Sequence, residues 1–317
     1  MKAVDLFAGW GGFTIGAHNA GVEVVYAANH WPLAVEAHAL NHPEVVHECQ
    51  DLRQANWTEL PEYELLLASP ACQGHSQAAQ PSRARSDRTR SYHDALRATA
   101  WSVIDCAEAT TPKAIIVENV LDFGKWGPPH DPRNGAMFRH WVEALEILGY
   151  TVQTQTLRAS HFGVPQRRDR LFVVASRKPI SLEFEVNPEP GFGPSIDWDT
   201  GRWKDIATMP DRKHAARSRL TIASERFGRA TVQHVSHHRG LALTEPVRTI
   251  TTKDQWALVD DTRYRPFTVL ETARAMGFPD DYGWPDKAGR RELIKGLGNA
   301  VCPPVAQAVV GRVAAAL

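Results

Sequence analysis

The stretch that decides the fold is Asp5-Leu6-Phe7-Ala8-Gly9-Trp10-Gly11-Gly12-Phe13-Thr14-Ile15-Gly16, near the start of a chain of 317 residues. Its first residues continue an apolar run that is typical of a strand, and its glycines predict a tight turn that leads into a helix. In an open α/β sheet, ligands bind outside the carboxyl ends of the strands, where such a turn lies. Thr14 stands where a dinucleotide fingerprint has its third glycine, so the stretch favours a nucleoside-type cofactor without identifying it.

Apolar runs and helical patterns alternate through the first 178 residues. Runs that are typical of strands lie at 4–8, 22–28, 65–69, 114–117, 152–157 and 171–175. Helical patterns lie between them at 32–40, 91–109 and 137–148. Because strands that alternate with helices assemble into a mostly parallel sheet with helices on both faces, the predicted fold class is α/β.

The character of the chain changes after residue 178. Residues 179–262 are rich in proline, glycine, aspartate and threonine, which predicts a separate small domain, irregular and with short strands. A helical pattern returns at 268–276, where Thr268 and Glu271 have the spacing of a capping box. A final helix of small residues is predicted at 304–317.

Charge is balanced over the whole chain but not along it. The chain has 36 basic and 36 acidic residues, yet residues 1–71 hold two basic residues against nine acidic ones. Positive charge is concentrated at 83–90 and at 212–239, where seven basic residues accompany one glutamate. This asymmetry fits a surface that meets phosphates, although solvated loops would show it as well.

The remaining composition indicates an ordinary protein of the cytoplasm. The four cysteines are far apart and form no CxxC pair, so neither a disulfide framework nor a metal site is predicted. The residues after Met1 are typical of a strand rather than of a signal peptide. No apolar run approaches the roughly 18 residues that cross a bilayer, so we expect no membrane contact.

Three further motifs carry side chains that are able to do chemistry. Cys72 follows an apolar strand and begins a loop that contains glycine, serine and arginine; Glu118 ends the run Ala-Ile-Ile-Val; Gln166–Arg170 precede another strand. Taken singly, each has an ordinary explanation. Cys72 would be a small apolar residue, Glu118 a carboxylate that caps the next turn, and the arginines a solvated entry to a strand.

The order of these motifs along the chain resembles that of the DNA cytosine-5 methyltransferase family. Six segments match the family's pattern and occur in its order: 5–16, 70–76, 118–120, 166–170, 265–279 and 298–304. Residues 179–262 fall where the family has its variable target-recognition region. The resemblance implies a Rossmann-like methyltransferase domain at 1–178 with 296–317, a small irregular target-recognition domain at 179–262, and a hinge segment at 263–295.

The family resemblance also implies a mechanism and its residues. A thiolate at Cys72 would add to carbon 6 of a flipped-out cytosine, which makes carbon 5 able to accept a methyl group. Glu118 would hold a proton against ring nitrogen 3, and Arg168 and Arg170 occupy the two arginine positions of the QxRxR motif, with Arg170 the better candidate for the base's carbonyl oxygen. The catalytic residues implied are therefore Cys72, Glu118, Arg168 and Arg170.

S-adenosylmethionine is the cofactor that the resemblance implies. The positions that would bind it are Phe7, Ala8, Gly9, Gly11, Gly12, Asn29, His30, Asp51, Leu52, Pro70, Asn299 and Ala300. Three positions depart from the family's pattern: Asn29 replaces the acid for the ribose hydroxyls, Ala71 a proline, and His75 a phenylalanine. Since none of these changes removes a reacting group, catalysis is still expected, with an altered affinity for the cofactor.

Duplex DNA is the implied partner, and the chain is expected to act as a monomer in a bacterial cell or phage-infected host. The positions implied to contact DNA are Gln73, Ser76, Arg83, Arg85, Arg217, Arg219, Arg226 and Arg229. A partner restriction endonuclease cannot be inferred from the sequence. Two alternatives remain open: an RNA (tRNA) cytosine-5 methyltransferase of the same fold, and a catalytically idle DNA-binding homologue. A nucleotide-dependent oxidoreductase is disfavoured by the glycine spacing.

Overall fold

A computed structural model describes residues 1–71, 96, 98–128, 130–131, 133–235 and 238–317, and for Asp211 the backbone alone. The helices are α1 (Gly12–Asn19), α2 (Pro32–Asn41), α3 (Trp101–Thr110), α4 (Ala136–Ile147), α5 (His214–Phe227), α6 (Val269–Ala275), α7 (Arg290–Asn299) and α8 (Pro303–Ala314). The strands are β1 (Lys2–Leu6), β2 (Glu23–Asn29), β3 (Val46–Cys49), β4 (Leu65–Ala68), β5 (Ala114–Asn119), β6 (Thr151–Arg158), β7 (Gln166–Arg167), β8 (Asp169–Ser176), β9 (Lys204–Asp205), β10 (Arg229–Gln233), β11 (Leu241–Ala242), β12 (Val247–Arg248), β13 (Trp256–Asp260) and β14 (Arg263–Pro266).

The chain divides into two compact units. Unit 1 comprises Met1–Arg158, Asp169–Glu185 and Val301–Leu317, and unit 2 comprises Ala159–Arg168 and Val186–Ala300. Unit 1 contains a seven-stranded sheet in the order β3-β2-β1-β4-β5-β8-β6. The first five strands are parallel, and β8 runs antiparallel to both β5 and β6. The mostly parallel sheet predicted from the alternating pattern is thus confirmed.

The central strands of unit 1 are buried on both faces. Every side chain of β4 is buried, and so is every side chain of β5, including Glu118 and Asn119 at its end. Strands covered by helices on both sides are expected to be continuous apolar runs, because neither face meets water. The carboxyl side chain of Glu118 and the amide side chain of Asn119 lie at the end of such a run and are therefore functional candidates.

Glycines allow α1 to pack closely against α8. A Cβ atom at Gly12 would lie 2.0 Å from the carbonyl oxygen of Val301, and one at Gly16 would lie 2.5 Å from the Cβ atom of Ala306. On α8, the valines at 305, 309 and 313 are all buried, as the spacing of the terminal helix predicted. The second half of the opening motif is therefore explained by helix packing, while its first half forms the turn.

Unit 2 is built around a five-stranded sheet in the order β11-β10-β13-β14-β9, whose paired strands are antiparallel. Helix α5 covers this sheet, and Leu220 and Ala223 pack with Val232 and Val259 in its core. A separate parallel pair joins β7 to β12. The 14-residue α5 was not expected in a region predicted to be irregular. Its stripe of apolar residues is short, and arginines and alanines occupy most of its remaining length.

The compact units divide the chain differently from the predicted domains. Residues 159–168 were expected in the catalytic domain and 263–295 in a hinge, and both belong to unit 2. Gln166 explains the first difference, because its side chain bonds to Ala275 and Ile250 within that unit. The functional domain boundaries themselves stay a prediction.

The stretch Arg290–Ala314 has a length and composition that would suit a membrane span. It consists of two helices, α7 and α8, with non-helical residues between them. Of its most apolar window, 72% is buried inside the protein, as in the core helices of water-soluble folds. The feature is therefore weak support for a membrane span.

Candidate active site

The glycine-rich turn after β1 has a backbone that few residue types adopt. Phe7, Gly9 and Gly11 all have positive φ angles, of 61°, 57° and 74°. The turn is closed by a bond from the Gly11 amide to the Ala8 carbonyl (2.9 Å), and the Ala8 amide donates to the carbonyl of Ala28 on β2 (3.2 Å). A positive φ in a phenylalanine is uncommon, because the Cβ atom clashes with the backbone there. Its presence at the end of β1 makes this turn a candidate functional site.

Gly9 fits a ligand that approaches the backbone. A Cβ atom at this position would have one described neighbour within 4 Å, the Phe7 carbonyl oxygen at 3.8 Å, so protein packing does not demand a glycine here. Gly11 and Gly12, by contrast, are buried and are packed against protein atoms. The predicted cofactor positions on this turn thus divide into an open part and a packed part.

The ends of β2 and β3 carry the next predicted cofactor positions. The Asn29 side-chain oxygen accepts a bond from the Trp31 amide (2.9 Å), and the Gln50 amide donates to the Asn29 carbonyl (3.1 Å). His30 is exposed, and Leu52 is buried. Asp51 caps the turn at 52–54, and its bonds with Arg53 hold the pKa of the Asp51 carboxyl below its ordinary value.

The residues that lead into the predicted catalytic loop are tied down by three bonds. The Ser69 hydroxyl donates to the Phe7 carbonyl (3.0 Å), and the Asn119 side-chain amide donates to the Pro70 carbonyl (3.0 Å). The Ala71 amide donates to the Thr99 hydroxyl (3.2 Å). This entry to the loop is therefore fixed to both β1 and β5. Five predicted site residues lie outside the described residues: Cys72, Gln73, Ser76, Arg83 and Arg85.

Glu118 and Arg170 form an ion pair beside this loop entry. The Arg170 Nε atom lies 3.0 Å from a Glu118 carboxylate oxygen, and the two side chains are 15% and 7% exposed. In the antiparallel pairing of β5 with β8, Glu118 lies opposite Phe172, two residues from Arg170. The pairing thus brings together two residues that the sequence predicted to act on one base.

Arg168 has a different environment, within unit 2. Its guanidinium donates to the carbonyl oxygens of Ile250 (2.9 Å), Gly298 (3.0 Å) and Ala300 (3.0 Å), and the residue is buried. Two of these oxygens flank Asn299, a predicted cofactor position that is half-buried. These contacts are those of a residue that holds a backbone segment. The catalytic role expected for Arg168 stays a prediction.

Two motifs of unit 2 are held in place by side-chain hydrogen bonds. Gln166 is buried, donates to the Ala275 carbonyl (2.7 Å) and accepts from the Ile250 amide (2.7 Å), an anchoring role that was not expected. The capping box predicted at Thr268 and Glu271 is confirmed by both of its bonds. Glu271 also accepts two bonds of 2.7 Å from the buried Arg265.

The four arginines of unit 2 predicted to bind DNA occupy different environments. Arg217 and Arg219 are half-buried on α5; Arg217 donates to the Met209 carbonyl (3.2 Å), and the Nε atom of Arg219 has no hydrogen-bond partner among the described residues. Arg226 lies over the ring of Phe227. Arg229 pairs with Asp260 (2.9 Å) and lies over the ring of Trp198.

Asp5 is a buried acid that the sequence did not single out as a site residue. It is 0% exposed and accepts a bond from the Thr14 hydroxyl (2.8 Å), while its other oxygen has no partner among the described residues. Burial raises the pKa of Asp5 to about 7. The sequence signal that could have identified Asp5 is its position as an acidic residue inside an otherwise apolar strand.

Comparison with known proteins identifies the family of the chain. The model of the C-5 cytosine-specific DNA methylase family matches residues 1–233 and 195–315. The type II methyltransferase M.NlaX of Neisseria lactamica is 28% identical over 331 residues (100% of this chain, 97% of the relative). M.HhaI of Haemophilus parahaemolyticus is 24% identical over 338 residues (100% and 95%).

Solved structures with lower identity show the same fold. A mutant of Spodoptera frugiperda DNMT2 has a TM-score of 0.70 at 17% identity, covering 97% of this chain and 98% of that one. A proposed DNA modification methyltransferase from an E. coli prophage has a TM-score of 0.67 at 19% identity, covering 99% of each chain. The family match spans nearly the whole sequence. The chain therefore belongs to the C-5 cytosine-specific DNA methylase family and is a DNA cytosine-5 methyltransferase.

Proposed function

We propose that the chain methylates carbon 5 of a flipped-out cytosine in a short sequence of duplex DNA, through a covalent adduct on Cys72. The observation that supports this most directly is the anchored loop entry beside the Glu118–Arg170 pair. Asn119 holds Pro70 by its carbonyl, so the residue two positions before Cys72 is fixed to the strand that carries Glu118. Covalent attack on a ring requires a nucleophile and an acid held in a defined geometry, and the strand that carries the acid also anchors the residues before Cys72.

The proposed role of each side chain follows from the bond, proton or hydrogen bond that it is able to provide. The Cys72 thiolate adds to carbon 6 of cytosine, and Glu118 supplies a proton to nitrogen 3, so that the ring does not gain a negative charge. In the structure Arg170 is paired with the Glu118 carboxylate. A base that binds to Glu118 therefore has to replace part of this ion pair. Arg170 then has donors for the carbonyl oxygen of the base. After the methyl group has been transferred, loss of the proton from carbon 5 lets the thiol leave.

S-adenosylmethionine is the proposed methyl donor, and its sulfonium would supply the electrophilic methyl group. The residues that would hold it in unit 1 are Phe7, Ala8, Gly9, Gly11, Gly12, Asn29, His30, Asp51, Leu52 and Pro70. The family resemblance implies two further positions, Asn299 and Ala300, which belong to unit 2. The open backbone at Gly9 and the carboxylate of Asp51 fit a nucleoside with an amino group. In this proposal Arg168 positions Asn299 through the two carbonyls beside it.

The test is trapping of the enzyme on a modified base. Duplex DNA with 5-fluorocytosine at the target should form a stable covalent complex with the wild-type protein in the presence of the donor, since fluorine cannot leave as a proton does. Cys72→Ser should form no complex while still binding DNA. Normal turnover by the serine variant would exclude the nucleophile assignment. Methylation of transfer RNA in preference to duplex DNA would instead support the RNA-modifying alternative.

A further inference from the structure

Four histidines come together in unit 1, behind the glycine-rich turn. His18 lies on α1, His38 on α2, His42 directly after α2, and His47 on β3. The ring centroids are 5.2 Å apart for His18 and His42, 4.8 Å for His38 and His42, and 4.9 Å for His38 and His47. A Cβ atom at Gly11 would lie 3.1 Å from the His42 Nε2 atom, so the cluster is adjacent to the turn.

Hydrogen bonds already occupy both ring nitrogens of His38. Its Nδ1 atom lies 2.8 Å from His47 Nε2, and its Nε2 atom lies 3.0 Å from the Thr14 hydroxyl. Because Thr14 donates its proton to Asp5, the Thr14 oxygen accepts from His38 Nε2, which leaves His38 Nδ1 to accept from His47. His38 therefore has no nitrogen to offer to another ligand.

The other two histidines, His18 and His42, lie near Glu44 and take no part in the hydrogen bonds of the His38 ring. One ligand atom from each of His18, His42 and Glu44 lies within 4.8 Å of the others, and the His18 Nε2 atom is 3.8 Å from a Glu44 oxygen. Within the part of the chain that the structure describes, this is the one such triplet. His42 is buried, and its Nε2 atom has no hydrogen-bond partner among the described residues.

We infer that His18, His42 and Glu44 form a binding site for a divalent transition-metal ion of the zinc class. Two imidazoles and a carboxylate are ligands that zinc accepts in a tetrahedral arrangement, with solvent in the fourth position. Magnesium and calcium prefer sites made of oxygen atoms alone, so this donor set disfavours them.

The exposure of the ligands is compatible with metal binding. The Glu44 side chain is 55% exposed and the His18 side chain 30%, so an ion has a path from solvent. Bound metal would link α1 to the end of α2 through two side chains.

The experiment measures metal binding by the complete protein after removal of metal with a chelator. Calorimetric titration of the wild type with Zn²⁺ should show one tight equivalent, and Glu44→Gln and His18→Gln should each weaken it by at least about tenfold, the scale on which changes around zinc sites act. Glu143→Gln is the matched control. Glu143 pairs with His140 at 3.2 Å on the surface of α4, and among the described residues this pair is not part of a three-ligand group. This variant should bind Zn²⁺ as the wild type does.

Cobalt identifies the donor atoms independently of enzymatic activity. Co²⁺ in the wild type should give visible d–d absorption without the intense charge-transfer band that a cysteine thiolate ligand would add. The d–d absorption should be lost in Glu44→Gln. The inference is overturned if the wild type and the His18→Gln/Glu44→Gln double variant bind the same amount of Zn²⁺ with the same affinity. It is equally overturned if thiolate absorption accounts for the bound cobalt.

Discussion

At the scale of single residues, the Glu118–Arg170 pair makes the most direct prediction. Glu118→Gln keeps the shape of the side chain but removes the group that exchanges a proton, so the chemical step should slow by roughly 100-fold or more. DNA affinity should change little, because the side chain is only 7% exposed and is held by Arg170. Single-turnover methylation and equilibrium DNA binding, measured on the same protein, separate the two effects. A variant that lost DNA affinity alone would make Glu118 a structural residue.

Asp5 predicts an unusual dependence of stability on pH. Its carboxyl has an ordinary pKa of 3.8 in the unfolded chain and about 7 in the folded protein. Between these values the folded state keeps a proton that the unfolded state has lost, so the stability contributed by Asp5 falls as pH rises from the lower value to the higher. Asp5→Asn removes this titration. Relative to the wild type, its free energy of unfolding should therefore rise by about 2–3 kcal/mol between about pH 5 and about pH 8.

Urea unfolding of both proteins at the two pH values provides the measurement. The histidines are present in both proteins, so their own titration largely cancels in the difference. Asp281→Asn, at an exposed position, is the matched control and should show no such change. A pH-independent difference between Asp5→Asn and the wild type would mean that Asp5 is ionised in the folded state across the range.

At the scale of secondary-structure elements, Gly12 tests the packing of α1 against the residues that lead into α8. Alanine at this position would place a Cβ atom 2.0 Å from the Val301 carbonyl oxygen, so backbone would have to shift to make room for it. We expect a loss of about 3 kcal/mol or more in the free energy of unfolding. Gly21→Ala is the comparison: its φ is +77°, but no described atom lies within 4 Å of the added carbon. It should cost only about 1–2 kcal/mol. Equal losses, measured by urea unfolding, would contradict the packing argument.

Most elements of unit 1 were predictable from the sequence because their signals are local, but β3 was missed because none of its side chains is buried. β4 and β5 are short apolar runs, and both were expected close to their observed bounds. Helix α5 was missed because helical pattern is read from apolar residues, and few of its side chains are buried. The histidine cluster could not be seen either, since His18 approaches His42 only when α1 and α2 pack together. The family's motifs named Glu118 and Arg170, but the sequence alone did not show that they pair.

At the scale of the whole molecule, the zero net charge hides an uneven distribution that bears on DNA binding. The first 71 residues of unit 1 have two basic and nine acidic residues, whereas 212–239 in unit 2 has seven basic residues and one glutamate. Affinity for DNA that arises from phosphate contacts falls with salt, in proportion to the number of contacts made. We therefore expect the salt dependence of binding to arise largely from unit 2 and from the arginines of the loop after Cys72.

Single changes of Arg217, Arg219, Arg226 and Arg229 to glutamine test this expectation. A residue that contacts phosphate should lower the slope of log affinity against log salt by about one unit, equally for all DNA sequences. A residue that contacts a base edge should instead relax preference at one position, at a cost of about 1–3 kcal/mol of discrimination. Arg229 should show the smallest effect, because it is already paired with Asp260. Arg139→Gln, on the exposed surface of α4 in unit 1, is the control and should leave both measurements unchanged. If all four variants matched this control in affinity, salt slope and site preference, DNA recognition would have to lie outside α5 and β10.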